Sequence, residues 1–201
     1  MSHPAEIAFA DSRQRLIRAA AEAFMEEGYR ASMDRIAERA GVARQTVYNH
    51  FASKEDLFSE VAHIAAEDIL ISLDGGGKDI RERLLRFAKA LRQRVLGDEG
   101  LAMFRTLSAE APRLPALGRA FFDKGPGQTV RRLAAFLAHA MKDGYLRQDD
   151  PLFAAETLMG MLYGFEHTRR LFCAPGRASD AEQTRVARIV DCFLRAFAPE
   201  R

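Results

Sequence analysis

The chain has 201 residues, 48% of them hydrophobic, with 14 Phe and no Trp, enough apolar material for a sizeable core in one or two domains. Thirty Lys and Arg against 28 Asp and Glu leave a formal charge of +2, a balance that by itself points to no nucleic-acid partner. No charged-plus-apolar amino-terminal signal and no run of about eighteen apolar residues is present, so export and a membrane span are not expected. Cys173 and Cys192 lack metal-ligand spacing, which argues against a cysteine metal site and for reduced thiols that act as small buried hydrophobes. Strand signals are nearly absent, so the expected fold class is all-α.

In chain order, Arg13 to Glu27 reads as a helix with Leu16, Ile17, Ala20, Ala23 and Phe24 on one stripe and Gly28 as its stop signal. Met33, Ile36, Ala37 and Ala40 then recur at helical spacing behind Ser32, which is placed as an N-cap. Gly41 can take the left-handed conformation that ends this helix and lets the next leave at a steep angle. A short run from Arg44 to His50 follows, the recognition helix being about 43–50, and Ser53 with Asp56 forms a variant capping box. The capping box opens a fourth helix through Leu57, Phe58, Val61 and Ala65. This is the outline of a helix-turn-helix DNA reader over residues 11–58, followed by a larger helical domain over 59–201.

Within the short helix, Val47 is expected to point inward with Val42 and Phe51, leaving its other side chains to face a groove. Arg, Gln and Asn can make bidentate contacts to base edges and a Thr methyl suits thymine, so Arg44, Gln45, Thr46 and Asn49 are candidates for base readout. From Arg30 to Lys54 five cations stand against two carboxylates, a local +3. So few cations imply weak binding by a single copy, and a two-fold dimer reading a pseudo-palindrome doubles the phosphate contacts.

The run IAERAGVARQTVYNHFASKEDLF resembles the DNA-binding signature of the TetR/AcrR transcriptional regulators. It matches Gly-Val, the spaced Thr-hydrophobic-Tyr, His-Phe and the following Ser-Lys, and departs at Ala43, where the family usually places a Ser or Thr cap. The resemblance implies that Tyr48, His50 and Lys54 hold phosphates, with Ser32 and the amides at the start of its helix gripping another. It also implies dimerisation through the last two long helices and an apolar or aromatic inducer bound by the C-terminal domain.

Beyond a GGGK linker at Gly75 to Lys78, helices are expected over Asp79 to Leu96, Leu101 to Glu110, Leu117 to Ala140, Pro151 to Leu171 and Ala181 to Phe197, nine or ten in all. Gly125-Pro126-Gly127 makes the third of these either one bent helix or two abutting ones. Val186, Ile189, Val190, Phe193, Leu194 and Phe197 form a stripe too wide for one side of a small domain, and Gly160 and Gly164 permit close approach of a neighbouring helix. These residues are the expected dimer interface, a four-helix bundle across a two-fold axis. Phe87, Leu91, Met103, Phe104, Leu107, Phe121, Phe122, Met159, Leu162 and Tyr163, with Glu166 as a polar group, are the candidate lining of a hydrophobic effector pocket. An inward-facing Glu166 would favour a cationic ligand.

The function expected is a cytoplasmic, bacterial-type, nucleoid-associated transcriptional regulator. It binds a palindromic operator in double-stranded DNA as a homodimer, represses, and is released by a small, hydrophobic effector. No catalytic residue, metal, cofactor or membrane partner is expected: His63 with Glu60 and Glu67 has helical spacing on an otherwise charged face, and no nucleophile elbow or phosphate-cradling Gly loop occurs. The alternatives are a constitutive DNA-binding dimer without effector, and a helical enzyme or ligand carrier.

Overall fold

Apolar residues spaced three and four apart, punctuated by Gly and Pro, drive the chain into helices almost throughout. The computed structural model describes residues 4–74, 79–174 and 181–199, so the GGGK linker lies outside the described residues. Among these residues there are ten α-helices, one 3₁₀ turn and no strand. They are α1 (Pro4–Glu27), the 3₁₀ turn Gly28–Arg30, α2 (Met33–Ala40), α3 (Arg44–His50), α4 (Lys54–Asp74), α5 (Ile80–Leu96), α6 (Asp98–Glu110), α7 (Pro115–Lys124), α8 (Pro126–Lys142), α9 (Pro151–Leu171) and α10 (Glu182–Ala196). No helix among the described residues is long and apolar enough to cross a membrane.

The chain divides into two compact units, residues 1–64 with 102–125, and 65–101 with 126–201. In the first, Leu16, Ala20 and Phe24 of α1 are buried with Ile36, Val47, Leu57 and Phe58, and Leu107 and Leu117 complete the same core. Phe58 sits edge-on to Phe24 at 4.8 Å between ring centroids and 5.8 Å from Phe121. In the second unit α8 packs along α9, and α5 packs against α9 and α10. Its core is built from Phe87 and Leu91 of α5, Leu133 and Leu137 of α8, Leu158 and Leu162 of α9, and Val190 and Phe193 of α10.

Several sequence expectations are corrected by this packing. α1 begins at Pro4 and not near Arg13; Pro suits the first helical position, and Phe9 and Ser12 in the added turns find a tertiary partner described below. The Gly125-Pro126 break gives two abutting helices, since Gly125 (φ −104°, ψ −102°) is not helical and Pro126 opens α8. Val186, Val190, Phe193 and Phe197 are buried in the core of their own unit, Val190 and Phe193 at 0% exposure, and are therefore not a dimer surface. The stripe is wide because α5 and α9 both cover it. Cys173 and Cys192 are exposed, not buried.

The eleven expected effector contacts are not gathered in one core. Phe87, Leu91, Met159 and Leu162 belong to the second unit's core with Tyr163 half-buried beside them. Leu107 belongs to the first unit's core, with Met103 and Phe121 packed against it, while Phe104 and Phe122 are exposed. Helical spacing shows that a residue is covered but not by which neighbour.

α9 is interrupted at Gly164, whose φ of 22° and ψ of −126° lie outside the helical region. A helix that stops leaves carbonyls in need of donors, and Arg92 of α5 donates from Nη1 to the Leu162 carbonyl. The Arg92 side chain is only 2% exposed and is held by Glu182 at 2.6 Å and Glu166 at 2.8 Å. Glu166 also accepts from Arg185 at 2.6 Å and Arg170 at 2.9 Å. Burial raises the Glu166 pKa, but the bond and charge of Arg92, with Arg170 and Arg185, outweigh it and bring it down to about 2. The carboxylate is thus already matched by three guanidinium groups, which removes the sequence-based case for a cationic ligand. Arg92→Met should destabilise the protein by about 3 kcal/mol, because it strips a donor from Leu162 and a partner from Glu166 inside the core. Urea titration of the two proteins measures this, and a loss under about 1 kcal/mol is inconsistent with the network anchoring α9.

Candidate DNA-binding interface

The interface is set by the ends of α2. Ser32 Oγ accepts from the Arg35 amide at 3.1 Å and so caps the amino-terminal end. At the other end Gly41 is left-handed (φ 65°, ψ 39°); its amide donates to Glu38 O and the Val42 amide to Ala37 O, both at 3.1 Å. These two bonds are the paired closure of a glycine-terminated helix, and Arg15 Nη1 satisfies a further carbonyl, Ala40 O, at 3.3 Å. α3 then leaves without a side-chain cap at Ala43, as its sequence implies. Val47, at 0% exposure, and Phe51 wedge it against α1 and α2. Ser53 Oγ accepts from the Asp56 amide at 3.1 Å, and Asp56 reaches back to the Ala52 amide at 3.3 Å, one residue before the usual partner of a capping box.

With Val47 inward, Arg44, Gln45, Tyr48 and Asn49 are exposed and Thr46 is half-buried. Gln45 Nε2 donates to Asn49 Oδ1 at 3.1 Å, one turn apart on the same face. Arg44 lies 3.1 Å from Asp34 of α2, donates from Nη1 to its Oδ2 at 3.2 Å, and stands 5.7 Å from the Tyr48 ring centroid. Neither Asp34 nor these pairings is marked by any motif in the sequence. The two cations of α2 are also partnered: Arg35 with Glu27 at 3.3 Å and Glu38 at 3.2 Å, and Arg39 with Glu26 and, at 3.8 Å, Glu22.

The four phosphate candidates differ in availability. Ser32 is exposed at the start of α2, and Tyr48 is 42% exposed. Lys54 is half-buried; its Nζ donates to the Tyr29 carbonyl and stands 4.3 Å from the Tyr29 ring centroid, and burial lowers its pKa. His50 is turned into the unit: its ring lies 3.9 Å from that of Phe9, and its Nε2 is 2.7 Å from Ser12 Oγ. Ser12 Oγ itself donates to Phe9 O at 2.8 Å, so it accepts from His50, which places a proton on Nε2. Nδ1 is then a buried acceptor with no hydrogen-bond partner.

Burial, with Arg13 as a second cause, lowers the His50 pKa below its ordinary value of 6.5. A neutral base with a lowered pKa gives stability that is complete above the unfolded pKa and declines as pH falls through the interval below it, because the unfolded chain takes up the proton first. His50→Gln should therefore flatten part of the loss of thermal stability between about pH 7 and pH 5. Melting curves of both proteins across that range test it, and parallel pH profiles would contradict the assignment.

Residues 16–61 match the family model of bacterial regulatory proteins of the tetR family, and residues 82–199 match that of the C-terminal domain of AefR-like transcriptional repressors. An HTH-type transcriptional regulator of Mycobacterium bovis is 33% identical over 146 residues, covering 70% of this chain and 72% of that protein. The crystal structure of a TetR-family transcriptional regulator from Mesorhizobium loti superposes with a TM-score of 0.78 at 31% identity, covering 94% of this chain and 98% of that one. The flavonoid-responsive regulator FrrA is also 31% identical, with a TM-score of 0.70 over 94% of this chain and 98% of its own. A glycine-closed α2, a wedged α3 and these matches over both parts of the sequence agree: the chain is not an enzyme but belongs to the TetR family of DNA-binding transcriptional regulators.

Proposed function

We propose that the protein is a cytoplasmic repressor that binds a palindromic operator as a homodimer and releases it when a small, hydrophobic effector occupies its C-terminal domain. The observation that carries the reading is the exposed face of α3. Arg44, Gln45, Tyr48 and Asn49 stand together there on a helix immobilised by Val47 and Phe51. Arg44, Gln45, Thr46 and Asn49 read base edges in the major groove, and Ser32, Tyr48 and Lys54 hold the flanking phosphates. Residues 11–58 carry this reader and 59–201 the dimerisation and effector functions.

Dimerisation is supported by the outer face of α9, which replaces the α10 stripe as the candidate surface. Phe153, Gly160 and Gly164 are exposed at helical spacing on it, and beyond the break at Gly164 Phe165 is 71% exposed with the Arg169 guanidinium 4.8 Å from its ring. Two readers about 34 Å apart would follow one face of the duplex. Repression is supported by the AefR-like repressor model over residues 82–199. A hydrophobic effector is supported by the likeness to FrrA and by the half-buried Tyr163 beside the apolar core of the second unit, its ring 5.9 Å from that of His167. α4 runs from the first unit into the second, so an effector that shifts it by a coupling of about 1 to 3 kcal/mol changes the operator affinity by roughly one or two orders of magnitude.

Gel retardation of the gene's own upstream region, with and without a panel of flavonoids and fatty acids, tests this. Retardation that one compound abolishes is expected; no retardation of any duplex sinks the operator reading, and retardation that no compound alters sinks the effector reading. Asn49→Ala should erode preference for the operator over scrambled DNA by about tenfold, while Lys54→Ala should weaken both about equally and reduce the salt slope by about one per subunit, about two for the dimer. Phe165→Asp leaves the folded chain intact but should convert a dimer into monomers in sedimentation, and a persistent dimer would place the interface elsewhere.

A further inference from the structure

Asp34 and Arg44 link the two helices of the reader, and the pair does little for stability. The Arg44 and Asp34 side chains are 65% and 59% exposed, and an ion pair in water is worth little to a fold. α2 already has its cap in Ser32. What the pair decides is where the guanidinium is. Arg44 is the first residue of an uncapped α3, with a long and flexible side chain. Asp34 at 3.1 Å and the Tyr48 ring at 5.7 Å bias it toward one position over that helix.

The place of Asp34 adds a second effect. It is the second residue of α2, beside the amides at that helix's amino-terminal end, of which Ser32 caps the one of Arg35. A carboxylate there repels the DNA backbone unless a cation cancels it, and Arg44 is that cation. We infer that Asp34 is a specificity-determining positioning residue: it holds the Arg44 guanidinium for a base edge and penalises binding wherever Arg44 is drawn away to a phosphate. On a matched sequence Arg44 meets a guanine edge without leaving Asp34, through the donors that its Nε and Nη1 contacts with Asp34 do not use. On an unmatched sequence the pair must break for Arg44 to find an acceptor, and a bare carboxylate then faces the backbone. Discrimination thus comes partly from weakened non-specific binding.

This rests on Arg44 as a base contact, and the test separates the two claims. A duplex enriched from a random library by the wild-type protein and a scrambled duplex of equal length are titrated with wild type, D34A, R44A and D34A/R44A. R44A should lower the ratio of the two affinities by about tenfold, and D34A by about threefold or more, chiefly through tighter binding of the scrambled duplex. The double variant should discriminate no worse than R44A alone, because Asp34 acts through Arg44. All four proteins should melt at nearly the same temperature. If R44A lowers the ratio and D34A does not, or if the two losses add, the role of Asp34 is overturned while base reading stands. If R44A leaves the ratio unchanged, base reading fails and Asp34 falls with it.

Discussion

The left-handed residue at Gly41 is the constraint on which the DNA-reading face depends. Its φ of 65° turns the chain out of α2, and the amides of Gly41 and Val42 return to Glu38 and Ala37 to close that helix. An L side chain at that position would cost about 1 to 2 kcal/mol from its backbone conformation alone, although a Cβ would meet nothing nearer than Arg15 Nη1 at 3.9 Å. The direction of α3 follows from the turn, and the burial of Val47 sets its rotation. Arg44, Gln45, Tyr48 and Asn49 then face outward together because they share the remaining arc of a seven-residue helix. A helix of that length with no cap would not persist alone; its order is imposed by the neighbours it touches.

Charge in the same unit is organised by exchange. Arg35, Arg39 and Arg44 each meet a carboxylate, Lys54 meets a carbonyl and an aromatic face, and Arg13 meets Glu60 at 2.7 Å. A phosphate that recruits one of these groups must replace an interaction already made, so the gain per contact is smaller than for a cation in open water. A modest +3 over residues 30–54 therefore overstates the attraction available to one copy. Multiplying the contacts by pairing two readers is the direct physical remedy.

The parts of the fold that were legible in the sequence are those with local chemical punctuation. Ser32 and Gly41 act where their side chain and φ angle suggest, and Pro151 opens its helix behind Asp150, whose Oδ1 accepts from the Leu152 amide at 2.9 Å. The illegible parts were decided by partners distant in sequence. α1 extends back to Pro4 with no apolar stripe to announce it, and Ser12 is met by His50, 38 residues away. Leu107 and Phe87 look alike as periodic apolar residues, yet belong to different cores. Periodicity likewise could not tell whether the α10 stripe is covered by the chain itself or by a second copy. At the candidate site the exposed readers followed from the position of Val47, whereas Asp34, an ordinary surface acid in the sequence, gains its meaning only from a distance to Arg44.

Gly160 and Gly164 show how two explanations of one pattern separate. Relief of crowding within the chain requires a neighbour where a side chain would be, and a Cβ at either glycine would meet nothing within 4 Å. Gly164 has a backbone reason instead, since its φ and ψ interrupt α9. The interruption is maintained at some expense, because a guanidinium as buried as that of Arg92 loses hydration that its partners must restore. Apolar packing of a continuous helix would avoid that cost. Beyond the break Phe165 is 71% exposed and Phe172, the residue after α9, 79% exposed. Apolar side chains so exposed are unfavourable in water, and the buried charges of α5, α9 and α10 hold the backbone that presents them.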